Sequence, residues 1–281
     1  MVMVTIAIPI YNAERYLRDA IQSVINQTYR DWTLYLINDG SSDNSLAIMH
    51  EYANRDCRIR IINDGENKGL VARLNQSIAL ANTKYYARMD ADDIMFVTRI
   101  EEQVRFLEEH PNIDVLGTSI MTIDDENRIV GSGFYEGQVN GFIHPTIMGH
   151  TTWFKSNPYS MWAVRAEDTE LWMRTAAVSK FWALGKPLLF YREFGVPTLS
   201  KTLQSQRTLL KIFSRYREYK RSLGWFAKNS LMTIAKMVVY TLFAAIGHMD
   251  YILGKRRRIP IHPKNCLTEE NLLNSTINVY E

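Results

Sequence analysis

The sequence predicts an α/β fold with a mainly parallel sheet flanked by helices. Short apolar runs alternate with amphipathic segments through the first hundred residues, and polar residues follow each run. This alternation is typical of a parallel sheet whose helices cross from one strand to the next. The predicted strands cover residues 4–8, 32–37, 59–62 and 85–89, and the predicted helices cover residues 14–26, 46–53 and 70–80.

The composition fits one large folded domain with an appendage. The chain has 281 residues, of which 46% are hydrophobic, so it can bury a sizeable core. Its two cysteines, Cys57 and Cys266, lie far apart in the sequence and outside any metal-binding spacing. The N-terminus shows neither a basic segment nor a cleavage site. These features predict a reduced, cytoplasmic protein without a secretory signal.

The first strand and helix show the periodicity of each element type. Residues 4–8 form a continuous, largely β-branched run that Pro9 ends, as expected for a buried strand. In residues 14–26 the apolar side chains recur every three to four positions, which places them on one face of a helix.

Polar loops follow the four predicted strands, at residues 9–14, 38–43, 67–69 and 90–93. Ligands of parallel sheets bind at the carboxyl ends of the strands, so we expect these loops to line one crevice.

The second hundred residues predict further helices and strands. The pattern indicates a helix around residues 100–107 and strands at 115–123, 129–134 and 188–191. Residues 144–148 are expected on a strand that leads to a loop at 155–159. His144 in this strand is expected to be structural, as isolated histidines usually are.

Two aspartates after the fourth strand are candidate metal ligands. Asp90 and Asp92 offer hard carboxylate oxygens that suit Mg²⁺ or Mn²⁺. Asp93 is assigned to the cap of the following helix. The alternative is a solvated turn, which the position directly after a buried strand disfavours.

The ordered motifs resemble the inverting GT-A glycosyltransferases of family 2 type, which include bacterial enzymes of surface-polysaccharide synthesis. The elements are P-x-Y-N-x-E at 9–14, D-G-S-x-D at 39–43, N-x-G at 67–69, D-x-D at 90–92 and E-D at 167–168. The resemblance covers about residues 3–200. It implies a GT-A catalytic domain at 1–200 with a Rossmann-like nucleotide-binding sheet. Residues 1–110 would bind the nucleotide sugar and residues 111–200 the acceptor, and residues 201–281 would form a helical C-terminal region.

The resemblance also assigns the donor site. Asp39 is expected to accept the imide N–H of uracil, with Gly40 and Ser41 allowing the backbone close to the base. Asp92 is expected on the metal, and Asp90 on the nucleotide with a metal contact. The other expected donor-site residues are Pro9, Tyr11, Glu14, Asn67, Lys68 and Arg73. Structural roles without a ligand stay open for four of these residues: an Asx-turn for Asp39, packing for Tyr11, a first-turn helix carboxylate for Glu14 and a surface cation for Lys68.

The same resemblance places the catalytic carboxylates at residues 167 and 168. Asp168 is expected to be the base that takes the proton of the acceptor hydroxyl, and Glu167 is the second choice, orienting the acceptor. A single displacement implies inversion at the anomeric carbon. The alternative is that both are ordinary carboxylates in the first turn of a helix.

These assignments predict a metal-dependent, inverting glycosyltransferase that uses a UDP-sugar and a glycan hydroxyl in polysaccharide biosynthesis. Phe194 stands where many relatives carry a metal-ligating histidine. This difference keeps open a non-catalytic relative that binds nucleotide or glycan as a partner subunit. A sugar-phosphate nucleotidyltransferase is disfavoured because residues 9–14 contain neither glycine nor a cation.

The C-terminal region is basic and amphipathic. Residues 1–200 hold 19 Lys and Arg against 25 Asp and Glu, whereas residues 201–264 hold 14 against 2. An apolar run at 237–247 is too short to span a membrane. We expect this region to lie on an anionic membrane at the cytoplasmic face of the inner membrane, near a lipid-linked glycan. The alternatives are packing on the catalytic domain or on a dimer partner. Nucleic acid is disfavoured because regularly spaced stacking aromatics are missing.

Overall fold

The computed structural model describes residues 3–193, 198–215, 217–248 and 273. A single mixed sheet runs through it in the strand order β3-β2-β1-β4-β9-β6-β10-β5, with β7 paired to β6 and β8 paired to β10. The strands are β1 Val4–Ile10, β2 Trp32–Asn38, β3 Ile59–Ile62, β4 Tyr85–Arg88, β5 Ile94–Met95, β6 Val115–Ile123, β7 Ile129–Gly133, β8 Gly137–Gln138, β9 Met148–His150 and β10 Phe181–Arg192.

Helices cover both faces of this sheet. They are α1 Leu17–Ile25, α2 Ser45–Ala53, α3 Leu70–Leu80, α4 Arg99–Glu109, α5 Thr151–Ser156, α6 Glu167–Thr175, α7 Leu199–Ser214 and α8 Leu223–Ala245. A short 3₁₀ helix, His144–Thr146, precedes β9.

The central strand β1 explains why the sheet is buried on both sides. Its alternate residues Val4, Ile6, Ile8 and Ile10 belong to the core beneath α1, α2 and α4. Ala7 points to the other core, which lies beneath α3, α5 and α6. A strand with two covered faces has no solvent side, which accounts for the continuous apolar run in the sequence.

The α/β prediction is confirmed, and the parallel arrangement holds for the first half of the sheet. Strands β3, β2, β1 and β4 pair in parallel. The second half is mixed, because β9 runs antiparallel to both β4 and β6 while β6 and β10 are parallel. The antiparallel strand β9 therefore joins the two halves.

Several predicted boundaries need correction. Helix α1 begins at Leu17 rather than near residue 14, because the preceding loop is tied to the loop after β2. Residues 144–146 form a 3₁₀ helix instead of a strand, residues 151–156 form α5, and the strand predicted at 188–191 is the end of the longer β10.

The helical C-terminal part is present as α7 and α8. Helix α7 and the turn after it pack on the loop before α6, through a cluster that includes Ala166, Ile212, Phe213 and Tyr219. The division at residue 200 stays a prediction. The basic run at 255–258 lies outside the described residues.

Candidate active site

Asp39, at the carboxyl end of β2, is held by a dense set of hydrogen bonds. Its Oδ1 accepts from the backbone nitrogens of Lys68 at 2.7 Å and Gly69 at 3.1 Å. The Arg73 Nε donates to the same oxygen at 2.9 Å. The second oxygen, Oδ2, accepts from Gly69 at 3.1 Å. The carboxylate is thus fixed between the end of β2 and the start of α3.

Arg73 supports Asp39 from below and has no solvent-exposed surface. Its guanidinium also pairs with Asp64 at 2.6 Å, and this contact holds the pKa of the Asp64 carboxyl well below its usual range. The exposed ammonium of Lys68 is paired with Asp64 at 2.7 Å and with Glu66 at 3.1 Å. Lys68 and Arg73 therefore both pair with carboxylates of the protein. Arg73 positions Asp39 and, being buried, is not accessible to a nucleotide.

The glycine after Asp39 is required by the backbone. Gly40 has a φ of +70°, and a Cβ atom added there would lie 2.8 Å from the backbone nitrogen of Asn67. The loops at 38–42 and 66–69 can approach each other only because position 40 has no side chain. Asn67 is exposed and contributes this backbone contact.

The loop after β1 is joined to the loop after β2. The Ser41 Oγ accepts from the backbone of Asn12 at 3.1 Å, and Asn12 Oδ1 accepts from the backbone of Ser42 at 2.8 Å. Pro9 and the exposed Tyr11 line a cleft of about 760 Å³ together with Asp90 and Asp92.

Glu14 is not brought into this cleft. Its Oε2 accepts from the backbone nitrogen of Asn44 at 2.8 Å, just before α2 begins, and it faces a separate groove beside Arg18. The donor-site contact expected for Glu14 is therefore not supported, because its carboxylate accepts from the backbone at the start of α2.

Three carboxylates gather after β4. One oxygen of each of Asp90, Asp92 and Asp93 lies within 4.8 Å of the others, the only such metal-ligand group within the described ranges. Burial, then the charge of Asp90, raises the pKa of Asp92 to about 6. Burial also raises the pKa of Asp93, and Asp90 and Asp92 add to that effect.

These residues fit a divalent cation. The buried Asp93 Oδ2 has no hydrogen-bond partner within the described part of the chain, while its Oδ1 accepts from the backbone of Arg192 at 2.9 Å. Neighbouring Arg88 and Arg192 offset the mutual repulsion of these hard oxygens only in part, which matches the preference of Mg²⁺ or Mn²⁺. The assignment of Asp93 to a helix cap is wrong, because α4 begins only at Arg99 and Thr98 precedes it.

The second acidic pair, Glu167 and Asp168, begins α6 as predicted. Burial raises the pKa of the Asp168 carboxyl, although hydrogen bonds from Thr169 oppose the change. Burial and then the charge of Asp168 raise the pKa of Glu167. Oδ1 of Asp168 accepts from the Thr169 backbone at 2.6 Å, and Oδ2 accepts no hydrogen bond from any residue that the structure describes.

Both acidic groups open into one cleft of about 520 Å³. Asp90, Glu167 and Asp168 line it. A neighbouring cleft of about 510 Å³ shares Glu167 and Asp168, and Leu70 lines all three cavities. The cavities therefore form one continuous crevice that runs from Tyr11 and Asp92 to the start of α6.

Sequence reasoning did not identify three residues of this crevice. Arg88 is buried, pairs with Asp90 and lines the cleft that Glu167 and Asp168 also line. His144 donates or accepts at 2.7 Å with the Tyr159 hydroxyl, and its Nδ1 lies 4.0 Å from Glu167. Arg165 lines two of the cavities and has a φ of +66°, a rare conformation for a residue with a side chain.

The surroundings of His144 favour its uncharged form. Burial and the positive charge of Arg88 lower its pKa well below the usual value. A neutral imidazole that shares a hydrogen bond with Tyr159 can direct its other nitrogen towards Glu167. Position 194, where the sequence has Phe instead of a possible histidine ligand, lies outside the described residues.

Comparison with known proteins gives the same family as the sequence motifs. Residues 5–168 match the family described as Glycosyl transferase family 2. The chain is 36% identical over 182 residues to the putative glycosyltransferase EpsE of Bacillus subtilis, which covers 61% of this chain and 66%, just under two thirds, of that relative.

Two further relatives align over more of the chain. An uncharacterized glycosyltransferase of Haemophilus influenzae is 30% identical over 76% of this chain and 72% of its own length. The Escherichia coli protein named UDP-Glc:alpha-D-GlcNAc-diphosphoundecaprenol beta-1,3-glucosyltransferase WfgD is 27% identical over 90% of this chain and 98% of its own length.

Solved structures share the fold at low sequence identity. TarS of S. aureus, residues 1–349 in complex with UDP-GlcNAc, has a TM-score of 0.67 and 14% identity, over 98% of this chain and 81% of that one. The mannosyltransferase PcManGT of Pyrobaculum calidifontis, in complex with GDP-Man and Mn²⁺, has a TM-score of 0.58 and 13% identity, over 97% and 85%.

Proposed function

The chain belongs to glycosyl transferase family 2, and we propose that it transfers one sugar from a UDP-sugar to a glycan hydroxyl, with a divalent metal and inversion at the anomeric carbon. The observation that carries this proposal is the shared crevice. It joins an acidic cluster suited to a cation with a separate buried carboxylate pair suited to a base. The two chemical tasks of the transfer thus meet in one cavity.

Asp90, Asp92 and Asp93 would hold the cation, which can be Mn²⁺ or Mg²⁺. When bound, the cation supplies positive charge that offsets the negative charge of the donor diphosphate. Asp92 and Asp93 are held through Arg192, whose Nε donates to the Asp92 carbonyl at 2.8 Å and whose backbone nitrogen donates to Asp93. The backbone of β10 thereby orients the cluster.

Asp168 is the base in this proposal. Its Oδ2 accepts the proton of the acceptor hydroxyl as the oxygen forms its bond to the anomeric carbon. The bond between that carbon and the diphosphate oxygen breaks on the opposite face, so the configuration inverts and no covalent enzyme intermediate is needed. Glu167, beside His144, would orient the acceptor.

The donor is a UDP-sugar in this proposal because Asp39 offers a fixed acceptor for a base N–H. Oδ1 of Asp39 is saturated by three donors, whereas Oδ2 accepts only the Gly69 N–H among the described residues. Oδ2 can therefore accept the imide N–H of uracil, with Tyr11 beside it. The names of WfgD and of the TarS complex, which include UDP-Glc and UDP-GlcNAc, support a uridine donor.

The acceptor that we propose is a lipid-linked glycan in polysaccharide synthesis. The support is the name of WfgD, which gives a diphosphoundecaprenol-linked sugar as its acceptor and aligns over nearly its whole length. This acceptor would place the reaction at the cytoplasmic face of the inner membrane.

Donor turnover tests the proposal. UDP release would be measured over a panel of UDP-sugars with Mn²⁺, Mg²⁺ or EDTA, for the wild type and Asp92→Ala. We expect one donor to be consumed only when metal is present, and the variant to be inactive. Asp114→Ala is the control, because Asp114 is a half-buried carboxylate outside the cleft. Equal turnover in EDTA would refute the metal requirement, and a failure to bind any UDP-sugar would refute the donor.

A further inference from the structure

Helix α8 exposes an extended apolar face. Of its 23 residues only Thr233 and Tyr240 are buried. Large apolar side chains are exposed along the rest of the helix, with Leu231 at 70% and Leu242 at 60% of their full accessibility. The others are Leu223, Met232, Ile234, Val238 and Val239, followed by Ile246 directly after the helix.

These side chains form a continuous stripe. Leu231, Ile234, Val238 and Leu242 are separated by three, four and four residues, which places them on one side of an α-helix. The buried pair Thr233 and Tyr240 marks a different side, directed towards the rest of the protein. The stripe thus faces outward over about three turns, and an exposed surface of this kind indicates a binding face.

Helices α7 and α8 and the turn between them carry strong positive charge. Residues 198–215 and 217–248 contain nine cations, all exposed, and Glu218 is the one acidic residue in these ranges. Glu218 pairs with Arg215 at 3.6 Å. The cations are Lys201, Arg207, Lys211, Arg215, Arg217, Lys220, Arg221, Lys228 and Lys236.

We propose that α8 lies flat on an anionic lipid surface, with the stripe from Leu231 to Leu242 in the acyl region and the surrounding cations at the headgroups. Apolar side chains beside exposed Lys and Arg are the combination that binds a helix in the interface of an anionic bilayer. Lys228 on α8 lies one turn before Leu231 on the same side of the helix, so its stem can extend along the apolar stripe while its ammonium group reaches the headgroups.

The charges and the helix length favour this partner over others. A second copy of the chain would bring nine like charges against these nine. Within the described ranges, none of the helices combines the length and apolarity needed to cross a bilayer, so α8 is placed on the surface rather than through it. A polyanion such as RNA would match the cations but leave the apolar stripe in water.

The surface is connected to the crevice. The Tyr219 hydroxyl donates to Glu170 Oε1 at 3.1 Å, and the Thr208 hydroxyl donates to the Val164 carbonyl at 2.8 Å. Both partners flank the Glu167–Asp168 pair in sequence. A bilayer that binds α8 would therefore lie at a fixed position relative to the start of α6. That this position would bring a lipid-linked acceptor to the crevice rests on the proposed function. The docking of α8 on the bilayer does not depend on it.

Vesicle co-flotation of the full chain tests the docking. The probes are vesicles of phosphatidylglycerol and phosphatidylcholine in equal amounts, and vesicles of phosphatidylcholine alone. We expect the protein to float with the anionic vesicles only, and to lose most of this binding at high salt because charge attraction is screened. The double variant Leu231→Gln/Leu242→Gln should reduce the bound fraction at least several-fold at low salt.

Val178→Gln is the matched control, because Val178 is 79% exposed but lies on the catalytic body, and it should bind like the wild type. Thermal unfolding of each variant verifies that the fold is intact, and Lys228→Glu/Lys236→Glu provides a second test through charge. Failure of the wild type to bind anionic vesicles, or equal binding by the Leu231/Leu242 variant, would overturn the proposal. So would a dimer in solution that the Leu231/Leu242 variant dissociates. UDP release remains an independent readout, so inactivity towards every donor would leave the vesicle result unaffected.

Discussion

The buried guanidinium of Arg73 balances the negative charge of Asp39. Arg73 is fully buried and bonds both Asp39 and Asp64. Removal of one partner of a buried ion pair is costly, because it leaves an uncompensated charge. The pair therefore contributes to the stability and to the conformation of the loops at 38–42 and 66–69.

Arg73→Met should lower the free energy of unfolding by about 3–5 kcal/mol and weaken UDP binding in the molecules that remain folded. Urea unfolding and calorimetric titration with UDP would measure the two effects. Arg55→Met is the control, because Arg55 forms an exposed ion pair with Glu51 on α2, and its loss should change little. An Arg73→Met protein as stable as the control would contradict the role of Arg73.

The pH dependence of transfer follows from Asp168. Burial raises the pKa of this carboxyl above its ordinary value of 3.8, and a general base works only when deprotonated. The rate should therefore fall, as pH decreases, at a higher pH than an ordinary aspartate would give. A profile of kcat/KM against pH, in saturating metal, would measure it. An acid limb at the ordinary position of aspartate would argue against Asp168 as the base.

Sequence reasoning found the site residues that follow strands, and missed those that depend on neighbours. Asp90, Asp92 and Asp168 stand at strand or helix ends, where an α/β fold binds ligands. Arg88 is the last residue of β4, and its place in the crevice is evident only from its burial and its pairing with Asp90. Glu14 fails for a similar reason: its type and motif fit a ligand contact, but the backbone of Asn44 takes its carboxylate.

Among the elements, the loop after β2 depends most on one backbone conformation. Gly40 and Gly65 both have positive φ values, of +70° and +77°, but only Gly40 is tightly packed. An alanine at position 40 must push the segment that presents the Lys68 and Gly69 N–H groups to Asp39. A comparison of alanine substitutions at the two positions therefore distinguishes the effect of backbone strain from the effect of steric contact.

Gly40→Ala should weaken UDP binding by about tenfold or more, equivalent to about 1.4 kcal/mol, whereas Gly65→Ala should show only the strain of its backbone. Calorimetric titration of both variants would give the comparison. Equal UDP affinity in the two variants would mean that the close contact between Gly40 and Asn67 is not needed for UDP binding.

A buried hydrogen bond from the Tyr219 hydroxyl to Glu170 joins the turn after α7 to α6, beside the apolar contacts of the same region. Tyr219→Phe removes its hydrogen bond to Glu170, which keeps its contact with Arg174 at 2.9 Å. The free energy of unfolding should fall by about 1 kcal/mol, measured by urea unfolding. Tyr29→Phe is the control, because the Tyr29 hydroxyl has no hydrogen-bond partner among the described residues. No change in Tyr219→Phe relative to this control would contradict the proposed link.

Element types were predictable wherever a periodic pattern was long enough. Strand β6 was predicted with its observed bounds, Val115–Ile123, because all nine residues are buried and apolar or small. The start of α1 was misplaced because hydrogen bonds to Ser41 and Asp43 hold the preceding residues in a turn. These bonds join segments about thirty residues apart, and a local pattern does not report them.

For the whole molecule, the sequence predicted the parallel half of the sheet and not the mixed half. Strand β9 has only three residues and joins β4 to β6, which a short, unperiodic segment does not indicate. The crevice lies where these halves meet, so its donor side was predictable in more detail than its acceptor side. The charge difference between the catalytic part and the C-terminal part was visible in the sequence, whereas the outward stripe on α8 required the packing.

The most direct test of the central claim compares transfer with donor binding in Asp168→Asn. With the donor that the wild type uses, a metal and a glycan acceptor, we expect transfer to fall by about 10²–10⁴-fold while the affinity for UDP and metal stays unchanged. Asp114→Asn, a carboxylate outside the crevice lining, serves as the control and should retain transfer. Undiminished transfer by Asp168→Asn would contradict the account, and so would a wild type that binds UDP but transfers no sugar.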